Sequence, residues 1–253
     1  EQVLVAPFND IEVTADLVRR HKDELAAVIV EPLQRNIPPK VEFLQGLRQV
    51  TRECGVLLVF DEVVTGFRLA WGGAQEHWGV VPDLVCLGKA IGGGYPTGAV
   101  AGPEELFRTV TPQAVAEGRF VIASGTFSGN PLSSTAGLAT LRVLRRPGSY
   151  DRLNANGRRL GEGLRRLIHM LEIPAYVCQV GAVVDILFTD RQVCTYRDTW
   201  SADSAKGTKF RHEMIRRGIW SPPGSKMYVS LVHSNEEIDQ TLEVAEAAMR
   251  TLR

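Results

Sequence analysis

Three short apolar runs constrain the fold more than any other feature. The strand candidates LAAVIVEP at 25–32, GVLLVFDEV at 55–63 and DLVCLGKA at 83–90 are built on apolar stretches that lack the polar alternation of a half-solvated strand. Between the first two, VEFLQGLRQVTREC places Phe43, Leu44, Leu47 and Val50 on one helical face. Strands that are apolar on both faces and separated by helices predict an α/β architecture with a mostly parallel sheet covered on two sides. PLSSTAGLATLRVLRR predicts a further helix with Pro131 in its first turn, and Pro147-Gly148 breaks the chain after it. That break marks a domain boundary, giving domains of 1–147 and 148–253. The second reads as a smaller α+β domain. It has a helix with Leu153, Leu160, Leu164 and Leu167 inward, strand candidates AYVCQV, AVVDILF and MYVSLV, and a last helix carrying Ile238, Leu242, Ala245 and Met249. Ser234 and Glu237 have the spacing of a capping box for that last helix.

Composition removes several function classes. The 29 basic and 29 acidic side chains cancel, which leaves no excess positive charge to hold nucleic acid or an anionic membrane. The longest apolar stretch, GVLLVF, is far too short to span a bilayer. Cys54, Cys86, Cys178 and Cys194 fall at no CxxC spacing, and three of them sit in apolar surroundings. They read as small buried thiols of a reducing, cytoplasmic compartment rather than zinc ligands. The five histidines show no metal-binding spacing.

Chemistry concentrates where the apolar runs end. Asp61 directly follows Val56–Phe60, and Lys89 directly follows Leu84–Gly88. In open α/β sheets the carboxyl ends of strands form the ligand crevice, so both charges arrive at one rim. An apolar lip also lowers the pKa of a lysine toward the range where its amine is nucleophilic. Three glycines at 92–94 require either a tight turn with positive φ or a very close backbone approach. A second glycine-rich segment, SGTFSGNP, brings Ser124, Gly125, Thr126 and Ser128 to the start of the helix at Pro131. It reads either as an anion site or as a simple capping loop. Asp61-Glu62 after an apolar strand also suits a P-loop nucleotide hydrolase, but GxxxxGK[ST] is absent, as is the GxSxG of a serine nucleophile elbow.

Taken together, EPLQ at 31–34, FDEVVTGFR at 60–68, PDLVCLGKAIGGGYPTGAVAG at 82–102 and GTFSGNPLSSTAGLATL at 125–141 resemble the class III aminotransferases, which use pyridoxal phosphate. The similarity runs from LVAPFND through VHSNEEID, over nearly the whole chain. It implies a fold-type-I transferase in which 1–147 is the C-terminal part of the cofactor-binding large domain and 148–253 is the small domain. Lys89 then carries the cofactor as a Schiff base and moves protons at the substrate α-carbon. Asp61 pairs with the protonated pyridine nitrogen, and Val63 packs on the ring. Gly125 and Thr126 bind the cofactor phosphate of the neighbouring subunit in a homodimer. The expected activity is amino-group transfer between a small-molecule donor and acceptor, with intramolecular aminomutase-type transfer and a non-catalytic scaffold fragment as alternatives. Ser225 stands where aminomutase members of the family are expected to carry an active-site glutamate, which favours transfer between two molecules. Family members are much longer, so the resemblance implies that this chain is a fragment lacking their N-terminal portion.

Overall fold

Leu58 and Phe60, both fully buried, lie on the central strand pair of a four-stranded sheet. The computed structural model describes residues 3–122, 125–221, 224 and 226–252. Its strands β1 (Ala27–Val30), β2 (Leu57–Glu62) and β3 (Leu84–Leu87) run parallel, and β4 (Ala99–Ala101) pairs antiparallel with β3. Each parallel strand falls within a predicted strand candidate, and β2 continues past its apolar run through Asp61 and Glu62. The sheet order is β1-β2-β3-β4, with Val30 opposite Phe60 and Asp61 opposite Cys86.

The chain divides into two units: Ile11–Pro32 with Val41–Arg146, and Glu1–Asp10 with Leu33–Lys40 and Pro147–Arg253. The first holds the parallel sheet and helices α1 (Ile11–Arg20), α2 (Val41–Cys54), α3 (Gly73–Trp78), α4 (Glu104–Phe107), α5 (Pro112–Ala116) and α6 (Pro131–Leu144). Phe43, Leu44, Leu47 and Val50 of α2 are buried, as their spacing predicts. Ala15 and Val18 of α1 join Val50 and Val56 in one apolar cluster. Arg48 on the same helix is also buried. Its Nη1 donates to Asp83 Oδ2 at 2.9 Å, and that oxygen accepts from Leu58 N at 2.7 Å, tying α2 to β2 and to the approach to β3. Cover is not complete on both faces: Ile29 on the edge strand β1 is 67% exposed.

The second unit packs helices α7 (Ser149–Met170), α8 (Ser204–Arg216) and α9 (Asn235–Arg250) with an antiparallel sheet of β5 (Tyr176–Val180), β6 (Val183–Leu187) and β7 (Met227–Tyr228). Leu153, Leu160 and Leu164 enter its core together with Ile238, Ala245 and Met249, and Leu167 and Leu242 pack at the margin. The capping box forms: Ser234 N donates to Glu237 Oε2 at 2.6 Å, and Glu237 N to Ser234 Oγ at 3.4 Å. The MYVSLV strand is shorter than expected. After Val229 N donates to Ala182 O, the chain turns so that Ser230 N donates to His233 Nδ1 at 3.2 Å just before the cap. The cysteines are free, but only Cys178 is fully buried and the other three are half-buried. Burial, and then the charge of Asp185, push the Cys178 thiol up to about 12. Among the described residues no helix is long and apolar enough to cross a membrane.

Candidate active site

Parallel pairing brings the ends of β2 and β3 to one rim, on strands about 4.8 Å apart. Asp61, the penultimate residue of β2, is half-buried and directly opposite Cys86. Burial, and then the Asp61 carboxylate, push the Cys86 thiol above its ordinary value. Cys86 as a neighbour of the acid was missed in the sequence, because only the strand register reveals it. Asp61 Oδ1 accepts from Val63 N at 3.1 Å, so the chain turns back immediately after the strand. Val63 therefore does not extend β2. Its side chain lies against Gly88, where a Cβ would meet Cγ1 at 3.2 Å.

Lys89 follows that contact. Gly88 is extended, and Lys89 opens a single 3-10 turn over Lys89–Gly92 with φ +47°. A side chain in this left-handed region costs about 1–2 kcal/mol, so the surrounding packing must hold it there. The triple glycine supplies that packing and satisfies both readings of the sequence. Gly93 has φ +58°, and a Cβ on it would fall 2.5 Å from Ala136 O. On the facing helix α6, a Cβ on Gly137 would fall 2.2 Å from Ile91 O. Backbone thus packs on backbone, and the exposed Lys89 side chain leaves from a fixed turn.

Glu62 shows why adjacent carboxylates take different tasks. It is 0% exposed, and it accepts from Thr65 Oγ1 at 2.9 Å, Ala74 N at 2.6 Å and Gln75 N at 3.3 Å. The two amides are donors at the start of α3, so Glu62 is a helix cap reached from a strand. Glu62→Ala leaves them without their acceptor and should destabilise the fold by about 2–4 kcal/mol. Glu62→Gln, which keeps an oxygen there, should cost clearly less. Urea unfolding measures both, and equal stability of the parent and Glu62→Ala would refute the capping role.

The segment before α6 closes on itself. Gly125 N donates to Ser128 Oγ at 2.9 Å, Ser128 N to Gly125 O at 2.9 Å, and Thr126 is exposed on the turn. Asn130 Oδ1 accepts from Leu132 N at 3.0 Å and Ser133 N at 3.2 Å, so the first helical amides are capped by the chain itself. The capping reading therefore describes the helix start, and Thr126 is left exposed ahead of it. Ser124 and Ser225 lie outside the described residues.

An acid and a lysine on neighbouring strand ends, below a glycine-clamped turn, define an aminotransferase-like α/β protein. Residues 4–249 match the class-III aminotransferase family, and the chain belongs to it. Among curated relatives, the glutamate-1-semialdehyde 2,1-aminomutase of Thermomicrobium roseum is 44% identical over 251 residues, 97% of this chain and 57% of its own length. Among solved structures, an omega-transaminase from Sphaerobacter thermophilus superposes with a TM-score of 0.92 at 34% identity, over 99% of this chain and 57% of that one. A structure described as a transaminase with PLP bound gives 0.87 at 26% identity, over 98% and 57%. The architecture is that of fold type I, and the chain spans somewhat over half the length of these relatives.

Proposed function

We propose that this chain carries the lysine and the acid of a pyridoxal-phosphate enzyme that transfers an amino group between small molecules. The observation that carries the reading is the placement of Asp61 and Lys89 at the ends of adjacent parallel strands, with Val63 packed on Gly88 between them. The donor set suits the cofactor: a carboxylate for its ring nitrogen, a primary amine for its aldehyde carbon, and the Thr126 hydroxyl for its phosphate. Pyridoxal phosphate supplies an electron sink that makes the Cα–H of an attached amine acidic. Lys89 binds the cofactor and afterwards takes and returns the proton at the substrate α-carbon. Asp61 holds the proton on the ring nitrogen, and Val63 packs on the ring. Gly125 shapes the turn that presents Thr126. On this reading 148–253 is the small domain and the chain up to 147 the large one, apart from 1–10 and 33–40, which pack with the small unit, in a cytoplasmic enzyme.

Borohydride reduction of the cofactor-loaded protein followed by peptide mapping should find the pyridoxyl group on Lys89. Finding it on Lys40, Lys206 or Lys226, or seeing no visible absorption band with added cofactor, overturns the reading. The second outcome would favour a non-catalytic scaffold.

Thr126 serves the cofactor of a second copy in this proposal. Phe120, Val121, Ile122, Phe127, Leu132 and Leu138, near it in the chain, are all exposed, with Ile122 at 77% and Phe127 at 73%, apolar surface that a second subunit would cover. Thr126→Ala removes a hydroxyl from a charged phosphate and should weaken cofactor retention by about 1–3 kcal/mol with little change in fold stability. Equilibrium dialysis measures this, and unchanged affinity removes Thr126 from the phosphate site.

The relatives named aminomutase favour a second reading, in which the amino group returns to a neighbouring carbon of the same molecule. We favour transfer between two molecules because Ser225, short and uncharged, stands where the aminomutase glutamate is expected. A mutase must retain its half-reacted intermediate in a closed site. Movement of nitrogen-15 within one donor molecule, with no added keto acceptor, would decide for the mutase.

A further inference from the structure

Helix α6 exposes large apolar side chains and buries small ones. Leu132, Leu138 and Val143 are exposed, while Ser133 and Gly137 are buried and Ala136 and Thr140 half-buried. Positions 133, 136, 137 and 140 share one helical face, so a seam of small residues runs down the buried side. A glycine inside a helix is unfavourable beside alanine, so Gly137 needs a reason other than helix formation. The reason lies across the seam: a Cβ on Gly137 would fall 2.2 Å from Ile91 O and 3.4 Å from Ile91 C. A Cβ on Gly93 would in turn fall 2.5 Å from Ala136 O and 2.6 Å from Thr140 Oγ1. The seam therefore rests on the 3-10 turn that Lys89 opens.

That turn is gripped from two directions. On the strand side, a Cβ on Gly88 would meet Val63 Cγ1 at 3.2 Å, and Val63 N donates to Asp61 Oδ1 at 3.1 Å. On the helix side stand Ala136, Gly137 and Thr140. Between them Lys89 has φ +47°, which a residue with a Cβ keeps only where its surroundings over-determine it. The bonds within the turn are long: Ile91 N donates to Gly88 O at 3.3 Å and Gly93 N to Ala90 O at 3.2 Å. Bonds of this length are weak, so the seam carries the constraint.

We propose that Gly137 and Thr140 are positioning residues that act through the Lys89 turn. They set where the lysine amine stands, and thereby the rate of proton movement rather than substrate affinity. The inference rests on the aminotransferase reading. An alanine at 137 must move the turn or the helix by about 1 Å before its contact with Ile91 O becomes ordinary. In the full-length, cofactor-loaded enzyme, Gly137→Ala should therefore lower kcat on the order of 10²-fold with KM for the amino donor within about threefold. In the protein without cofactor it should raise hydrogen exchange at the Ile91 and Gly93 amides about tenfold and leave exchange in β1–β3 as in the parent. Should Gly137→Ala fail to fold, Thr140→Ala, which only removes atoms beside Gly93, carries the same test with a kcat loss of about fivefold. An unchanged kcat in the folded variant overturns the proposal, as does a raised KM with kcat kept. Exchange that rises across the whole first unit also overturns it, because a merely structural defect would produce that. A parent enzyme that neither binds cofactor nor transfers amino groups would sink the aminotransferase reading itself, and the proposal with it.

Discussion

Lys89→Ala should, on the proposed function, abolish turnover, with a loss on the order of 10⁴-fold or more, because one substitution would remove both the covalent attachment point and the base at the α-carbon. The backbone around Lys89 allows this loss to be separated from damage to the fold. The residue has φ +47°, while Gly88, Gly93 and Gly137 fix the turn without any help from the lysine side chain. Lys89→Gly should therefore be as inactive as Lys89→Ala yet more stable by about 1 kcal/mol, since glycine enters the left-handed region without the Cβ penalty. Steady-state kinetics and thermal unfolding of the two variants side by side make the test. Measurable turnover in either variant, above that of a no-enzyme control with free cofactor, removes Lys89 from its role. Equal stability of the two would mean that the turn relaxes in the variants.

Asp61 and Lys89 were legible in the sequence because each is a charge set at the end of an apolar run, and parallel strands carry such ends to one rim whatever else the chain does. Glu62 was not legible. It has the same neighbours in sequence as Asp61, and only the amide of Ala74, 12 residues on, decides that it is a buried cap. The triple glycine announced a close approach, but its partner Gly137 sits in an ordinary-looking helix, and only the folded chain shows that two backbones meet. Pairs distant in sequence were the least visible: Asn36 and Asp185 bond across 149 positions, and no periodicity encodes that. MYVSLV shows the opposite error. Its apolar alternation suits a full strand, but the His233 turn and the Ser234 cap take over its second half.

Asp61→Asn should leave the fold within about 0.5 kcal/mol of the parent and slow the reaction on the order of 10²–10³-fold. The fold survives because the amide oxygen can still accept from Val63 N, the bond that turns the chain after β2. On the proposed function the chemistry fails because an uncharged amide cannot hold the proton on a pyridine nitrogen, and an unprotonated ring draws electrons from the α-carbon far less strongly. The loss should therefore appear in kcat, with substrate affinity nearly unchanged. A second readout needs no cofactor. The Asp61 charge helps to push the Cys86 thiol up, with burial the larger cause, so removing that charge should bring the thiol part of the way back down. A larger thiolate fraction at a given alkaline pH means faster alkylation of Cys86 in the Asn variant than in the parent. Faster alkylation with activity close to the parent's would show that the carboxylate sits where the structure places it and does not serve the ring. Unchanged alkylation would show that Asp61 does not face Cys86, and the geometry of the rim would then be wrong at its centre.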